Sequence, residues 1–512
     1  MEEISPSDLQ WLAQKGVSPE KLQEQLNGFR TGYPFACIVA PAVKGIGVLE
    51  IAPEEIRAYR DLYRASTRNE SVLKFVPASG AATRMFKSLY AFLENGRSGS
   101  TAEMPADVRE VFEHLPRFAF YEDLQQAVLR EKGASLQDLL NRNEYLPVLE
   151  ILLEKRGLSY GHLPKALLKF HRYGNQNRTA LEEHLVEAAL YASAKGECSL
   201  HFTVSPEHRK AFEACVRNVL PAYEKRYGIR YHISYSQQKS STDTVAVNPD
   251  NTVFRDDEGN IVFRPGGHGA LIENLNEREE DIVFIKNIDN VTTDALKEDT
   301  VVYKELLAGV LVDRRQAVFS YLEKMENMTQ AYPAFLQELK SFARNRLFLS
   351  LPGNIDDMSQ PAQLAYFKQA FNRPIRVCGV VKNTGEPGGG PFWVVSDGGK
   401  SLQIVESSQI DKDDAGQKRI FETSEFFNPV DLVCSLYDYK HRKFDLLRYV
   451  DPRTAFISVK SVQGKEIKAM ELPGLWNGAM AHWITLFVEV PQSVFTPVKT
   501  INDLLRAQHE NA

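Results

Sequence analysis

Residues 75–88 read "FVPASGAATRMFKS", and this stretch decides how the chain around it folds. The apolar run that ends near Pro77 is typical of a buried strand, and the apolar residues after Thr83 recur at helical spacing. Between the two, small residues let the backbone turn tightly and approach a ligand closely. Backbone amides at the start of a helix attract phosphate. The stretch therefore predicts a strand–loop–helix unit that binds phosphate, with Arg84 and Lys87 adding positive charge.

The loop matches neither of the two common glycine-rich fingerprints for phosphate binding. The dinucleotide pattern G-x-G-x-x-G is absent, and Phe86 stands where the nucleoside-triphosphatase loop requires a glycine before its lysine. A tight strand-to-helix turn with basic residues on the surface therefore remains the alternative.

Further strands follow along the chain, separated by helical segments. Short apolar runs at "CSLHFTVS" (198–205), "IRYHISYS" (229–236) and "DIVFIKNID" (281–289) predict these strands. Strands that alternate with helices favour a mostly parallel α/β sheet, in which ligands bind outside the carboxyl ends of the strands. Three of the predicted strands end in polar or small residues, at Ser79-Gly80, Ser205 and Asp289, so we expect these to share one edge of the sheet.

Composition excludes several classes of protein. The 512 residues are 43% hydrophobic and 25% charged with a net charge of −6, which is typical of a globular protein and does not favour nucleic acid or an anionic membrane as partner. Five scattered cysteines without a C-x-x-C pair argue against structural zinc and favour a reducing cytoplasm. The first residues lack a signal peptide, and no apolar run approaches the ~20 residues of a membrane helix.

Four other residues are candidates for a binding site, each with a structural alternative. Asp289 at the end of an apolar strand can hold Mg²⁺ or cap a helix. The glycines around His268 in "FRPGGHGAL" allow close approach to a ligand or simply turn the chain. Glu386, at the head of the loop "GEPGGGPFW", can bind sugar hydroxyls or belong to a wide turn. Lys499 in "FTPVKTINDLL" precedes a final helix, where an ordinary solvated lysine is the alternative.

Taken in order, these segments resemble the UDP-sugar pyrophosphorylases that act on glucose and N-acetylhexosamine. The similar stretches cover roughly residues 71–94 and 199–505. The resemblance implies a Rossmann-like, GT-A-like α/β fold of nucleotide-diphospho-sugar transferases, with a mixed sheet flanked by helices. It would place a catalytic domain at 71–505, with 374–505 as the sugar-binding half, followed by a tail at 506–512. The resemblance does not explain residues 1–70, which we predict to be a mostly helical extension, or residues 95–196, which we predict to be a helical insertion. We suspect a bacterial branch described as a domain of unknown function.

The resemblance also implies roles for individual residues. Arg84, Lys87 and Lys499 would be catalytic, and Asp289 would hold the metal. The nucleotide-binding residues would be Ser79, Gly80, Ala81, Ala82, Thr83, Gln237, Gly267 and His268, with Gln237 of "YSQ" reading uracil. The sugar-binding residues would be Glu386, Glu406, Asn428 and Asn477.

The resemblance implies a uridylyltransferase that joins a sugar 1-phosphate to UTP, with Mg²⁺ as cofactor and release of pyrophosphate. The cysteine content favours a cytoplasmic location. One alternative is a nucleotide-sugar binding protein without turnover, because Ser79 and Ala82 add side chains where the family has glycine. A second alternative is a small-molecule kinase. The sugar and the oligomeric state cannot be predicted from the sequence.

Overall fold

The computed structural model describes residues 4–80, 82–99, 103–174, 176–329, 331–386, 388–396, 399–462 and 464–510. The helices of these residues are α1 (Pro6–Lys15), α2 (Pro19–Thr31), α3 (Pro53–Ser66), α4 (Lys87–Arg97), α5 (Ala106–Glu113), α6 (Tyr121–Lys132), α7 (Leu136–Asn141), α8 (Tyr145–Leu153), α9 (Ala180–Tyr191), α10 (Arg209–Tyr227), α11 (Leu271–Asn276), α12 (Lys297–Glu326), α13 (Pro333–Arg346), α14 (Gln360–Phe371) and α15 (Ala415–Glu422).

The strands are β1 (Cys37–Pro41), β2 (Val43–Lys44), β3 (Gly47–Leu49), β4 (Val72–Pro77), β5 (Lys169–Tyr173), β6 (Gln176–Thr179), β7 (Ser193–Ala194), β8 (Glu197–Thr203), β9 (Arg230–Ser236), β10 (Thr244–Val247), β11 (Phe263–Arg264), β12 (Ile282–Lys286), β13 (Ile375–Lys382), β14 (Gly389–Ser396), β15 (Gly399–Glu406), β16 (Phe426–Phe427), β17 (Asp431–Ser435), β18 (Phe456–Val462), β19 (Lys465–Glu471) and β20 (Ile484–Glu489).

The chain divides into two compact units, each assembled from three separate segments. The first unit comprises Met1–Val72, Ser236–Ile285 and Glu305–Val490. The second unit comprises Leu73–Tyr235, Lys286–Lys304 and Pro491–Ala512. The domain boundaries predicted from the sequence, and the roles given to each part, stay predictions.

The first unit contains a mixed sheet and two smaller sheets. Its main sheet has the order β2-β3-β20-β13-β17-β12, in which β13 runs parallel to β20 and antiparallel to β17. A three-stranded sheet has the order β1-β14-β15, and a four-stranded sheet has the order β11-β10-β19-β18. Helices α1 and α2 pack their buried leucines onto the four-stranded sheet. Ser5 caps α1 in a reciprocal capping box with Asp8, which fixes where that helix begins.

The second unit is built on the parallel pair β4 and β8, with β7 and β9 also paired to β8. Strand β4 is buried along most of its length because "VLKFV" is apolar except for one lysine. Helix α9 begins at a capping box between Thr179 and Glu182 and is buried on nearly every side. The core of this unit combines α4 to α10 with the segments around Ile288 and Val498, so both of these late segments belong to its interior.

The secondary structure predicted from the sequence is confirmed where the apolar pattern was clear. Strands β4, β8, β9 and β12 lie in the four predicted apolar runs, and α4 follows the loop after β4. The sheet is mixed rather than mostly parallel, because β7 and β17 join antiparallel. A mixed α/β architecture with a sheet flanked by helices is therefore established, and the finer GT-A-like arrangement stays a prediction.

Candidate functional site

The loop after β4 lies within the second unit and retains unpaired backbone amides. Ala78 is held by Thr203 at the end of β8, through a 3.0 Å bond from its amide to the Thr203 carbonyl. Further along, the Ala82 amide donates to the carbonyl of Leu163 at 3.3 Å, so it is not directed at a ligand. The amides of Gly80 and Thr83 make no hydrogen bond to any described residue. Donors for a phosphate therefore remain on this loop. Ala81, predicted to bind nucleotide, lies outside the described residues.

Asp289 forms the centre of a charged cluster in the same unit. Lys165 Nζ lies 2.9 Å from Asp289 Oδ2, and Lys499 Nζ lies 3.1 Å from the same oxygen. Lys165 also donates to the carbonyl of Val498 at 2.8 Å. The two ammonium groups outweigh the cost of burial and lower the pKa of Asp289, which is therefore ionised at neutral pH. The other oxygen, Oδ1, is buried and has no hydrogen-bond partner among the described residues.

Backbone bonds bring Lys499 to Asp289 although the two are far apart in sequence. The segment before Lys499 runs antiparallel to the chain after β12, with an isolated bridge between Asn290 and Pro497. The Val498 amide donates to the Asp289 carbonyl at 3.0 Å. Asp503 then accepts from the Lys499 amide at 2.7 Å, which fixes the backbone that carries this side chain. The placement of Lys499 is thus built into the fold.

The same C-terminal segment also contacts the loop region after β4. The Ile501 amide donates to the carbonyl of Met85 at 3.2 Å. The loop, Asp289 and Lys499 therefore belong to one neighbourhood of the second unit. Arg84 and Lys87 are exposed and make no hydrogen bond or ion pair with a described residue. Their catalytic roles stay predictions.

A second buried cluster lies behind this site, on helix α9. The Glu187 carboxylate accepts from Lys74 Nζ and from Lys286 Nζ, each at 2.8 Å, and all three side chains are at most 1% exposed. On the same helix, His184 Nε2 lies 3.2 Å from the Ile288 carbonyl, which directly precedes Asp289. Burial lowers the pKa of His184, so the ring is neutral and donates this bond. Helix α9 thereby anchors the strand end that carries Asp289.

The Glu187 carboxylate offsets only part of the cost of burying the ammonium groups of Lys74 and Lys286. Burial lowers the pKa of Lys74 to about 8, although Glu187 opposes this shift. The pKa of Lys286 is lowered for the same reason. The cluster is therefore rich in positive charge, and removal of its carboxylate would leave ammonium groups without a counter-charge.

A different group of predicted residues lies in the first unit, around His268. Its ring stacks on Trp476 with centroids 4.1 Å apart, and its Nδ1 accepts from the Leu475 amide at 3.0 Å. Burial lowers the pKa of His268 to about 4, so the ring is neutral at pH 7 and carries its proton on Nε2. The Trp476 indole donates to Glu406 at 3.3 Å. Burial raises the pKa of the Glu406 carboxyl, with Glu471 adding to the effect.

The glycines beside His268 have a packing reason of their own. A Cβ on Gly269 would lie 2.1 Å from the Pro473 carbonyl oxygen. Gly267 has φ +78°, and a Cβ there would lie 3.2 Å from a Glu471 oxygen. The loop is thus glycine-rich because it packs closely on the segment after β19. The nucleotide contacts of Gly267 and His268 stay predictions.

The two asparagines predicted to face sugar hold backbone together. Asn428 donates to the Gly379 carbonyl at 3.2 Å and accepts from the Val430 amide at 3.0 Å. Asn477 donates to the Ile404 carbonyl at 2.9 Å. Both side chains are buried, so a structural role is certain and a sugar contact stays a prediction.

The Gln237 side chain is more available to a ligand than the two asparagine side chains. The Gln237 carbonyl accepts from Asn274 at 2.9 Å, whereas its side-chain amide makes no hydrogen bond to a described residue. The neighbouring Gln238 is already bonded to Asp243 at 3.3 Å. Gln237 is therefore the freer of the two for reading a base. Glu386 is half-buried on the loop before β14.

Comparison with protein families decides what this chain is related to. A family model described as Domain of unknown function (DUF4301) matches residues 5–510. The chain belongs to the DUF4301 family. The prediction of such a family is confirmed, and the bacterial source stays a prediction. No curated protein matches the sequence.

Several solved structures are similar to this DUF4301 chain. UDP-glucose pyrophosphorylase of Leishmania major, a variant in complex with UDP-glucose, is 13% identical with a TM-score of 0.45 and covers 98% of this chain and 79% of its own. UDP-N-acetylglucosamine pyrophosphorylase of Trypanosoma brucei, in complex with an inhibitor, is 12% identical with a TM-score of 0.46. The match covers 99% of this chain and 80% of the pyrophosphorylase chain. UDP-glucose phosphorylase of Trypanosoma brucei is 14% identical with a TM-score of 0.43. The match covers 99% of this chain and 78% of the phosphorylase chain. Because these identities and TM-scores are low, the chemistry of the DUF4301 chain must be argued from its own side chains.

Sequence reasoning missed Lys165, although it makes the shortest contact with Asp289. It lies after the long helical segment, in a short helical turn over Lys165–Leu167. The signal was the stretch "HLPKALLKF", in which a proline and a lysine precede the apolar residues "ALL". Only the fold shows that this lysine returns to the loop after β4.

The donor set of the DUF4301 chain fits Mg²⁺ only with help from a substrate. No group of three His, Cys, Asp or Glu side chains that could hold a metal exists among the described residues. Asp289 Oδ1, however, offers one buried anionic oxygen that accepts no hydrogen bond. Mg²⁺ commonly binds one or two carboxylates together with waters and substrate phosphates. Asp289 therefore fits as the one protein ligand of such an ion. None of the described helices has the length and apolarity needed to cross a membrane.

Proposed function

We propose that this protein is a nucleotidyltransferase that joins a sugar 1-phosphate to UTP and releases pyrophosphate. The observation that carries this proposal is the convergence of Lys165 and Lys499 on Asp289, beside a loop with unpaired amides. Two ammonium groups and two backbone donors in one neighbourhood suit a transferring phosphate.

The reaction needs no covalent intermediate on the protein. An oxygen of the sugar phosphate attacks the α-phosphorus of UTP in line and forms the new P–O bond. The bond from the α-phosphorus to the bridging oxygen breaks, and pyrophosphate leaves with that electron pair. Catalysis then consists of positioning the two substrates and neutralising charge.

The residues of the second unit suit these tasks. Asp289 holds the ammonium groups of Lys165 and Lys499 in place before substrate binds, because it is buried and ionised. A substrate phosphate would then accept from these lysines. The amides of Gly80 and Thr83, and the side chains of Arg84 and Lys87, would bind the triphosphate and the leaving pyrophosphate. Mg²⁺ on Asp289 would neutralise phosphate charge.

The roles in recognising the base and the sugar stay with the residues that the sequence predicts for them. Gln237 would read uracil through a paired donor and acceptor, since its amide is not otherwise bonded. His268 is a neutral donor at Nε2, and Glu406 is a half-buried carboxyl beside Trp476. Both suit hydroxyl or phosphate groups. Asn428, Asn477 and Glu386 would contribute to the sugar contact.

The test is a panel of sugar 1-phosphates with each nucleoside triphosphate and Mg²⁺, scored by release of pyrophosphate. We expect release with UTP and one class of sugar. Lys499→Ala should lower turnover more than it weakens UTP binding, because its charge matters most as the transition state forms. The matched control is Lys418→Ala, an exposed lysine in α15.

The panel also separates the alternatives. Binding of UTP without release of pyrophosphate would favour a binding protein, and formation of ADP with ATP would favour a kinase. The proposed function would be refuted if the folded protein neither binds UTP nor releases pyrophosphate with any pair of substrates.

A further inference from the structure

A cavity in the first unit carries two cations that the proposed reaction does not use. It has a volume of about 490 Å³ and lies between β1, β14, β15 and the chain that follows α13. Its polar groups include Arg344 and Lys400, and its apolar wall includes Trp393, Leu349 and Leu351. Among the residues that the structure describes, none of those lining the cavity is acidic. A volume of this size suits a small ligand.

The two cations are available for a ligand. Arg344 and Lys400 are exposed, and neither makes a hydrogen bond or an ion pair with a described residue. The nearby Arg346 differs, because it donates to Asp313 at 3.0 Å. A cation in the last turn of α13 also interacts with the helix dipole, so Arg344 alone would not indicate a site. Lys400 lies on strand β15 in the same cavity, and the dipole of α13 does not explain its presence there.

Trp393 supplies an aromatic surface in the same cavity. Its indole nitrogen lies 3.4 Å from the Ile46 carbonyl, and a Cβ on Gly47 would lie 3.2 Å from that nitrogen. Gly47 has φ +106°, a conformation that favours glycine. The close contact with Gly47 therefore fixes the position of the ring. Trp393 also lines a neighbouring cavity of about 550 Å³, which shares Arg344 and Leu349 with this one.

The chain that forms one wall holds an unfavourable backbone conformation. Phe348 follows α13 with φ +50°, where a helix normally ends in glycine or asparagine. The Leu349 amide then donates to the Ala343 carbonyl at 2.8 Å, which turns Leu349 and Leu351 onto the cavity. Strained residues persist where the surrounding structure requires them, and they are frequent at binding sites.

We propose that this cavity binds a small ligand that combines a flat aromatic ring with a phosphate or carboxylate group. The guanidinium of Arg344 and the ammonium of Lys400 would pair with the anion, and the ring would contact Trp393. Such a site is separate from the reaction proposed above and does not depend on it.

The experiment is calorimetric titration of the full chain with four probes. AMP combines a ring with phosphate, and indole-3-acetate combines a ring with carboxylate. Ribose 5-phosphate lacks the ring, and adenosine lacks the anion. We expect one of the first two to bind with one site per chain and more tightly than the last two. Whichever binds identifies phosphate or carboxylate as the anion.

Variants assign the binding to this cavity. Arg344→Gln and Lys400→Gln should each weaken it about tenfold or more, because each removes a charge-assisted bond. Arg57→Gln is the matched control, since the Arg57 side chain is 90% exposed and lies outside the cavity. It should bind as the wild type does.

Lys499→Ala separates this site from the one in the second unit. We expect it to leave probe binding unchanged. Three results would each overturn the proposal. The first is loss of probe binding in Lys499→Ala. The second is wild-type affinity in both Arg344→Gln and Lys400→Gln, and the third is no binding of AMP or indole-3-acetate at millimolar concentration.

Discussion

Replacing Glu187 by glutamine tests the idea that buried lysines support the candidate site. The substitution keeps the size of the side chain and removes the one carboxylate that pairs with Lys74 and Lys286. Both ammonium groups would remain in an interior that water does not reach. We therefore expect a large loss of stability in the second unit, although no residue proposed to contact substrate has changed.

Two estimates bound the expected loss of unfolding free energy in Glu187→Gln. Breaking a buried ion pair by removing one partner costs about 3–5 kcal/mol. A lysine can also escape by losing its proton, and from its ordinary pKa this costs about 5 kcal/mol at pH 7. The loss for one lysine therefore lies at about 3–5 kcal/mol, which is a large share of the stability of a typical domain.

The pH dependence distinguishes charge from packing. A lysine whose folded pKa is depressed is protonated more in the unfolded state, so stability rises with pH between the two pKa values. Burial lowers the pKa of Lys74 to about 8 even with Glu187 present, and more without it. Raising the pH from 7 to 9 should therefore narrow the gap between Glu187→Gln and the wild type by about 1–3 kcal/mol.

The assay is urea unfolding followed by circular dichroism at both pH values. Glu94→Gln is the matched control, because its Glu94–Arg97 pair is exposed and such pairs contribute about 0–1 kcal/mol. The reasoning is refuted if Glu187→Gln loses no more stability than this control. A gap that stays constant from pH 7 to pH 9 would show that the loss comes from packing alone.

Three further outcomes are expected. Asp289→Asn should fold and lose Mg²⁺-dependent turnover, because the ion needs an anionic oxygen; normal pyrophosphate release at limiting Mg²⁺ would contradict this. Gln237→Ala should weaken UTP binding by about 1–3 kcal/mol and narrow its preference over other nucleotides in titrations; an unchanged preference would exclude Gln237 from that role. Burial lowers the pKa of His509 to about 3, below its unfolded value, so stability should fall with pH below about 6.5, by up to about 1.4 kcal/mol per unit. Urea midpoints for His509→Gln should fall less steeply, and equal slopes would exclude His509 as the cause.

Much of the fold follows from local patterns in the sequence. Strand β4 and helix α4 could be predicted because an apolar run, small residues and helical spacing follow one another within 25 residues. The antiparallel additions β7 and β17 could not, since a strand's apolar pattern does not encode the direction of its neighbour. The lysines inside "VLKFV" and "IVFIK" were an unused signal, because a lysine within a buried strand requires a buried partner.

The candidate site was predictable only in part, for a similar reason. Asp289 and Lys499 each lie in a short distinctive segment, and the fold brings them together at 3.1 Å. Lys165 lies in a stretch that matches none of the predicted motifs, and its role depends on a chain reversal that local sequence does not specify. Asn428 and Asn477 show the converse, because a polar residue near a predicted site also serves to hold backbone carbonyls.

The order in which the chain is synthesised gives the segment 496–499 a further consequence. Asp289 is made long before Lys499, and its carbonyl is bonded only once Val498 has been added. Until then, Lys165 is the one of these two lysines that can pair with the Asp289 carboxylate. The packing around Asp289 is therefore incomplete until the segment 496–499 has been made. Nascent chains stalled before residue 496 should then be open to protease around Asp289, whereas the full chain should resist.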